Sequence, residues 1–451
     1  MRQLIKKKIK RRFIVSPAQT MVAGFALIIL LGGILLNLPI ASQSGERVGF
    51  INALFTSTSA VCVTGLVVVD TGTYWSTFGK FVIISLIQIG GLGFMSLATL
   101  LYLIVGKKIS LKERLVMQES LNKDDLSGVV KLTRNILLGT FLIEFIGGLI
   151  LATVFIPQKG LLKGLGYGFF HSVSAFCNAG FDLIGGGVSL IPYADNIVVN
   201  FTIMGLIVLG GLGFTVIFDV LSKRNMKRLT LHSKIALLVT AILIIGGAIL
   251  FFILEADNAK TLGHMSMKGK LLGAMFQSVS PRTAGFNTIN LAAMKDSSKF
   301  LTIILMFIGG SPASTAGGLK TVTMAVLLIT VISIIQGKPD ISAFKRRISF
   351  RFINKALAAL FMAMSLVIIV TMGLSLTENF TFLDILFETV SAFATVGLTL
   401  GITASLSTAG KLMIIFTMFA GRVGILTIFV ALAGREKKML FQYPEERVIV
   451  G

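Results

Sequence analysis

Four short segments of the chain repeat one arrangement of aromatic, hydroxyl and glycine residues. They read FTSTSAVCVTGL at 55–66, FHSVSAFCNAGF at 170–181, FQSVSPRTAGF at 276–286 and FETVSAFATVGL at 387–398. In each copy a glycine follows the first aromatic residue by nine or ten positions, which gives a matched set: Gly65, Gly180, Gly285 and Gly397. Successive glycines are 105 to 115 residues apart, so the chain contains four copies of one unit.

One glycine in each of four equivalent loops suits the coordination of a monovalent cation by backbone oxygens. Glycine allows a strand-like or positive-φ conformation that turns a carbonyl inward. A ring of such carbonyls replaces the hydration shell of the ion. The candidate filter consists of the three residues that end each loop: Val63, Thr64, Gly65, Asn178, Ala179, Gly180, Thr283, Ala284, Gly285, Thr395, Val396 and Gly397.

The composition places these loops in a membrane protein. The chain is 54% hydrophobic and 14% charged, with a mean hydropathy of +0.89, whereas a soluble domain carries roughly 25% charged residues. A spanning helix needs about 20 mostly apolar residues. Eight such runs are present, two per repeat, at 17–38, 76–104, 135–156, 197–221, 235–254, 300–335, 355–376 and 409–434.

Between the two spans of each repeat lies a segment that is too short to cross a membrane. These segments occupy 49–59, 164–174, 270–280 and 382–392, each long enough for two to three helical turns. Irregular backbone at membrane depth is tolerated where it lines a cavity, and the half-helices would aim their partially negative C-terminal ends at that cavity. The predicted fold is an all-α polytopic membrane protein with four pseudo-repeats of span, pore half-helix, filter loop and span around one central ion pore.

The basic residues predict the orientation of the chain. The net charge is +22, and 29 of the 42 Lys and Arg residues fall in five segments that alternate with the apolar spans. This positive-inside pattern predicts cytosolic N- and C-termini and argues against nucleic-acid binding. The predicted boundaries are a basic cytosolic arm at 1–16, repeats at 17–105, 135–221, 235–335 and 355–434, cytosolic loops at 106–134, 222–234 and 336–354, and a cytosolic tail at 435–451.

At the four filter segments the chain resembles the superfamily of potassium transporters that includes Trk, Ktr and plant HKT proteins. The resemblance covers essentially the whole chain, and the four matched glycines occupy the family's filter positions. Eight spans behind a short N-terminal arm are most similar to the membrane subunits of the Ktr branch. The resemblance implies potassium as the substrate and the only metal at the filter, sodium as a candidate activator, and uptake across the cytoplasmic membrane.

The third repeat departs from the others at 309–320, which reads GGSPASTAGGLK. A regular helix is disfavoured there, because proline alone costs about 3 kcal/mol in a helix interior. The segment predicts either a kinked helix or a flexible intramembrane loop, and the resemblance favours the loop as a gate. The candidate gate residues are Gly309, Gly310, Ser311, Pro312, Ala313, Ser314, Thr315, Ala316, Gly317, Gly318 and Lys320.

Arg422 lies where the first two repeats have glycine, in AGRVG against IGGLG and LGGLG. A charged residue in a span faces a polar cavity or a partner. Arg422 could therefore be a barrier beside the gate or one member of a structural ion pair. The resemblance favours the pore.

Two other functions compete with potassium uptake. A sodium-permeable or sodium-coupled transporter of the same fold is the alternative, although Gly65 in the first filter position argues against it in the resembling family. A membrane enzyme would need paired carboxylates, an HExxH motif or a Ser/His/Asp set at membrane depth, and the sequence predicts none.

The resemblance also implies the partners. The cytosolic segments are short, and the chain carries no nucleotide-binding motif, so no cofactor is expected in this chain. A gate shifts only through differential affinity of a ligand for its two states. The family implies a homodimer in the lipid bilayer, contacted by a cytosolic ring of KtrA-type regulatory subunits that bind ATP or ADP.

Overall fold

The computed structural model describes residues 16–93, 109, 111–120, 128–338 and 340–433, together with positions 444 and 446. Most of the predicted arm at 1–16, the loop residues 121–127 and nearly all of the tail at 435–451 lie outside these residues. The described part is mainly α-helical. Its strands are confined to a short antiparallel hairpin between β1 (Ser342–Ala343) and β2 (Arg346–Arg347).

Each repeat contains a long first helix, a short pore helix and a second span. Repeat 1 comprises α1 (Pro17–Leu36), α2 (Phe50–Val61) and α3 (Thr77–Leu92), and α4 (Leu111–Ser120) follows it. Repeat 2 comprises α5 (Val129–Lys159), α6 (Leu161–Phe176), α7 (Ile197–Leu212) and α8 (Phe214–Lys223).

The second half of the chain repeats this order. Repeat 3 comprises α9 (Leu231–Glu255), α10 (Met267–Val279), α11 (Asp296–Phe307) and α12 (Thr321–Ile335). Repeat 4 comprises α13 (Phe350–Thr377), α14 (Phe382–Phe393), α15 (Thr408–Val423) and α16 (Ile425–Ala433). Single 3₁₀ turns connect elements at Pro39–Ala41, Ile191–Tyr193, Met226–Arg228, Leu291–Ala293 and Thr403–Ser405.

The four repeats close around an axis because each second span packs on the pore helix of the next repeat. The contacting pairs are α3 with α6, α7 with α10, α11 with α14, and α15 with α2. The last pair joins repeat 4 back to repeat 1. This cyclic packing confirms the predicted arrangement of four pseudo-repeats.

In repeats 1, 2 and 3, the pore helix approaches the first helix through a serine and a glycine. Ser172 Oγ donates to the carbonyl oxygen of Glu144 at 2.7 Å, and a Cβ atom on Gly147 would lie 2.6 Å from the same hydroxyl. Small residues let membrane helices approach this closely. The same hydrogen bond joins Ser57 to Ile29 and Ser278 to Ile244.

By length and composition, four of the described helices could each cross a membrane alone: α1, α5, α9 and α13, one from each repeat. The bent pairs α7 with α8 and α15 with α16 meet the same criteria together. The predicted second span of repeat 1 continues into 94–104, outside the described residues. That of repeat 3 is divided between α11 and α12.

The second spans predicted at 197–221 and 409–434 are each divided into two helices by a sharp bend. α7 and α8 meet at 94°, and α15 and α16 meet at 92°. The residues at the bends are Gly213 with φ +87° and Gly424 with φ +89°. A right-handed helix cannot pass through positive φ, which glycine adopts at little cost. Hydropathy stays high on both sides of each bend, so the apolar run alone does not reveal it.

Candidate functional site

The four matched glycines meet in a ring. A Cβ atom added to Gly65 would lie 2.5 Å from the carbonyl oxygen of Ala179 in the next repeat, closer than real Cβ atoms come. The relation runs through every repeat, from Gly65 to Ala179, from Gly180 to Ala284, from Gly285 to Val396, and from Gly397 to Thr64. Each glycine therefore faces a backbone carbonyl of its neighbour, and any side chain there would enter the ring.

The backbone of all four loops has the same unusual conformation. The residue two positions before each glycine has positive φ although it is not glycine: +58° at Val63, +60° at Asn178, +69° at Thr283 and +51° at Thr395. The ring glycines follow at +94°, +69°, +80° and +89°. Positive φ is an outlier for a β-branched residue, and three of the four are β-branched. Such strain concentrates at functional sites.

In repeats 1 and 4 a pore-helix serine accepts a hydrogen bond from the ring glycine. The amide of Gly65 donates to Ser59 Oγ at 3.0 Å, and that of Gly397 donates to Ser391 Oγ at 3.1 Å. The glycine amides are thereby held away from the axis.

Repeats 2 and 3 use the equivalent serine differently. Ser174 Oγ donates to the carbonyl oxygen of Phe181 at 2.7 Å, and Ser280 Oγ donates to that of Phe286. The serine therefore holds the residue after the glycine rather than the glycine itself. The predicted aromatic–serine–glycine spacing thus has a structural basis in every repeat, in two versions.

The candidate filter residues also include two threonines whose hydroxyl oxygens are buried. Thr64 Oγ1 and Thr395 Oγ1 are buried and have no hydrogen-bond partner in the described part of the chain. A buried polar atom without a partner calls for an explanation, and a hydroxyl oxygen is a suitable ligand for a hard cation. The pore helices end at or just before these loops, so their partially negative ends favour a cation there.

The predicted gate segment is a loop, not a kinked helix. α11 ends at Phe307 and α12 begins at Thr321. The neck is closed by two hydrogen bonds, from the Gly309 amide to the Leu319 carbonyl at 2.8 Å and from the Thr321 amide to the Gly310 carbonyl at 3.1 Å. The residues from Ser311 to Gly318 therefore form a loop that projects from one side of the span.

This loop is seated on the bend of repeat 2. The amide of Ser311 donates to the carbonyl of Gly211 at 2.9 Å, and the amide of Phe214 donates to the carbonyl of Ala313 at 3.1 Å. The carbonyl of Pro312 leaves no room for a Cβ atom on Gly213. The GGLG sequence that breaks α7 from α8 therefore also forms the seat of the loop.

The loop touches the filter of repeat 4 as well. A Cβ atom on Gly317 would collide with Thr395 Oγ1, and one on Gly318 would lie 3.1 Å from the Cα atom of Ala394. These glycines are required by close approach, which the sequence pattern alone does not show.

Arg422 joins the loop to repeat 1. Its guanidinium donates to the carbonyl of Thr315 in the loop and to the carbonyls of Gly90 and Gly91 at the end of α3. The ion pairs of the described residues are Lys223–Asp219, Lys299–Asp296 and Arg347–Asp340, so Arg422 belongs to none of them. The interpretation as a structural ion pair has no support here.

Lys320, at the end of the loop, folds back on it. Its ammonium donates to the carbonyls of Ala316 at 2.6 Å and Gly317 at 3.3 Å. This side chain braces the loop internally, whereas Arg422 connects it to other repeats.

Sequence reasoning missed one element of this site and one role. The element is the seat formed by Gly210 and Gly211, for which the repeated GGLG motif was an available signal. The role is that of Asn178, a predicted filter residue whose amide bridges the loops of repeats 2 and 3 and the predicted gate loop. Its only sequence signal is an amide where the other copies have valine or threonine.

Comparisons with known proteins agree with this architecture. Residues 14–443 match the TrkH family, described as cation transport proteins. The potassium/sodium uptake protein NtpJ of Enterococcus hirae is 46% identical over 454 residues, covering 99% of this chain and 100% of that protein. The Ktr system potassium uptake protein B of Bacillus subtilis is 45% identical over 436 residues, covering 97% of each.

A solved structure shares the fold. The potassium transporter TrkH of Vibrio parahaemolyticus superposes with a TM-score of 0.70 at 17% identity, covering 93% of this chain and 85% of that one. The predicted resemblance to Trk and Ktr proteins is confirmed, and with it the prediction of a transporter rather than an enzyme. The chain belongs to the TrkH family of cation transport proteins.

Proposed function

We propose that this chain takes up potassium ions through the ring of filter loops. The observation that carries the proposal is the ring itself, in which four glycines of positive φ each face a neighbouring carbonyl. Carbonyl oxygens in such a ring replace the hydration shell of a monovalent cation. Relatives at 45% and 46% identity are named for potassium uptake.

Rubidium flux into vesicles that contain the purified full chain tests this proposal. Uptake should depend on the protein, and external potassium should compete with it. Vesicles that contain the protein yet take up no rubidium above the lipid background would refute the proposal.

Sodium permeation is the second candidate, because the relative from Enterococcus hirae is named for potassium and sodium uptake. A substitution at Gly65 tests whether the ring selects potassium over sodium. A Gly65→Ser side chain would press on the carbonyl of Ala179 and change the carbonyl geometry in one quarter of the ring. Sodium uptake should then rise relative to rubidium uptake. A native chain that already carries both ions equally would favour the second candidate.

The loop at 309–320 is the proposed gate, and Arg422 is its proposed latch. The loop lies against Thr395 of the filter, and its neck and seat are held by backbone hydrogen bonds. Its glycines provide the backbone freedom that a moving segment needs. Arg422 reaches across from repeat 4 and ties the loop to repeat 1.

Regulation is proposed to come from other subunits. The relative from Bacillus subtilis is named as a protein of a Ktr system, which supports a partner subunit. We place this chain in the cytoplasmic membrane with cytosolic termini, as a homodimer on a KtrA-type ring that responds to ATP or ADP. Co-purification with such a ring, and flux that responds to nucleotide only in its presence, would support this assembly. Full flux that no soluble partner alters would refute it.

A further inference from the structure

Asn178 is the only amide side chain among the twelve candidate filter residues. The equivalent positions in the other repeats hold Val63, Thr283 and Thr395. Its backbone has φ +60° and its side chain is fully buried. A buried amide must satisfy both its donors and its acceptor. The hydrogen-bond partners of Asn178 therefore show which loops it connects.

The amino group of Asn178 binds the filter loop of repeat 3. Nδ2 lies 3.3 Å from the carbonyl oxygen of Arg282 and 3.3 Å from Thr283 Oγ1. A carbonyl oxygen can only accept, so the amino group must be on this side. The contact therefore determines the orientation of the amide.

The oxygen of Asn178 consequently faces the gate loop. Thr315 Oγ1 lies 3.2 Å from Asn178 Oδ1 and also 3.2 Å from the carbonyl oxygen of Phe176. Both of these are acceptors, so the threonine hydroxyl is the donor. Thr315 is itself buried, and its amide donates to the carbonyl of Gly210.

The amide also lies close to the two glycines at the end of α7. A Cβ atom on Gly210 would lie 2.6 Å from Asn178 Oδ1, and one on Gly211 would lie 3.5 Å from Nδ2. The amide is thus packed against the bend of repeat 2. Movement of Thr315 out of its seat would remove the donor to Oδ1 and loosen the hold of Nδ2 on Arg282.

We propose that Asn178 is a positioning residue that couples the gate loop to ion selectivity. When Thr315 is seated, the amide holds the filter loop of repeat 3 in its potassium-selective geometry. When the gate loop leaves, that quarter of the ring relaxes. The inference rests on the proposed function, since it assumes that the ring is the filter and that the loop moves.

The test compares rubidium with sodium uptake in vesicles that contain the full chain. Thr315→Val removes the hydroxyl with little change of shape, and Thr315→Ser retains it. Thr330→Val, in α12, removes a hydroxyl that donates only to Val326 in its own helix, and controls for the substitution itself. Asn178→Ala and its combination with Thr315→Val complete a double-mutant cycle.

We expect Thr315→Val to lower the rubidium-to-sodium ratio about fivefold, the effect of one lost hydrogen bond. Thr315→Ser should restore most of the native ratio. The double variant should be no less selective than Asn178→Ala alone, because both changes act through one contact. Thr315→Ala offers a second removal of the hydroxyl if the valine variant does not fold.

A native ratio in folded Thr315→Val or Thr315→Ala, or additive effects in the double variant, would overturn the inference. Raised rubidium uptake with an unchanged rubidium-to-sodium ratio would overturn the coupling through Asn178, but it would agree with the proposed gate. Absence of rubidium uptake by the native chain would instead overturn the proposed function, and the coupling with it.

Discussion

The ring of four glycines is more symmetric than the neighbouring region, which contains the ends of the second helices and the loop of repeat 3. At the ring, all four repeats share one backbone conformation and one type of contact between neighbours. In the neighbouring region the repeats diverge: repeats 2 and 4 turn by more than 90° at Gly213 and Gly424, whereas repeat 3 inserts a loop between α11 and α12. Repeat 1 has a glycine of positive φ at the equivalent position, Gly93, and the residues that follow it lie outside the described part of the chain. Coordination of an ion requires ligands from every side, whereas obstruction of its path requires one movable segment. The other repeats then serve as the support of that segment.

The comparison extends to the hydrogen bonds behind the ring. Repeats 1 and 4 fasten the glycine amide to a serine, while repeats 2 and 3 fasten the residue after it. Repeats 2 and 3 are also the two that Asn178 joins. The ring is thus held by two kinds of support, and the gate loop contacts both: Thr315 bonds to Asn178 of repeat 2, and Gly317 lies against Thr395 of repeat 4.

The largest expected effect comes from filling the ring. Gly180→Val would place a side chain against the carbonyl of Ala284 and a branched residue at φ +69°. We expect rubidium uptake to fall by about a hundredfold, since overpacking and backbone strain each cost about 1–3 kcal/mol. Gly246→Val is the matched control, because Gly246 in α9 has open space around it. Normal uptake by folded Gly180→Val would remove Gly180 from the ion path.

The next effect concerns the proposed gate loop at 309–320. Removal of residues 312–317 would leave the neck but eliminate the contacts with Gly210, Gly213 and Thr395. Basal rubidium uptake should rise about tenfold, which corresponds to a loss of about 1.4 kcal/mol from the free energy that favours the closed state. Size-exclusion profile and thermal midpoint would show that the variant is folded. Unchanged uptake in such a folded variant would contradict a gating role.

A smaller effect should distinguish charge from bracing at Arg422. Arg422→Gln removes both the charge and the guanidinium that contacts Thr315 and Gly90. Arg422→Lys keeps the charge but cannot reproduce a planar group that serves two repeats. Because the contacts are geometric, we expect both variants to raise basal uptake about threefold, less than the loop deletion. Basal uptake at the native level in Arg422→Lys would show that Arg422 acts as an electrostatic barrier instead.

The smallest effect tests the supports of the ring. Ser59→Ala would leave the buried amide of Gly65 without its acceptor, at a cost of about 1–3 kcal/mol. We expect a lower thermal midpoint and a small loss of rubidium uptake. Ser85→Ala, which removes a hydroxyl bonded within α3, should change neither. Equal effects of the two substitutions would show that the serine support does not matter to the ring.

The sequence alone determined the membrane class, the four repeats and the positions of the pore helices. Repetition and hydropathy are summed over many residues, so they survive local exceptions. The predicted half-helix at 382–392 corresponds to α14, and that at 49–59 to α2, each within one or two residues at either end. The matched glycines could be predicted as well, because the four copies of the pattern can be aligned with one another.

Only the tertiary structure decided which residues of different repeats meet. The bends at Gly213 and Gly424 depend on single φ angles within apolar runs, to which hydropathy is insensitive. The seat of the gate loop, the reach of Arg422 to Gly90 and the bridge through Asn178 join residues at least 99 positions apart. Spacing along the chain cannot predict such contacts, because they arise only when the cyclic packing of the spans brings the loops together.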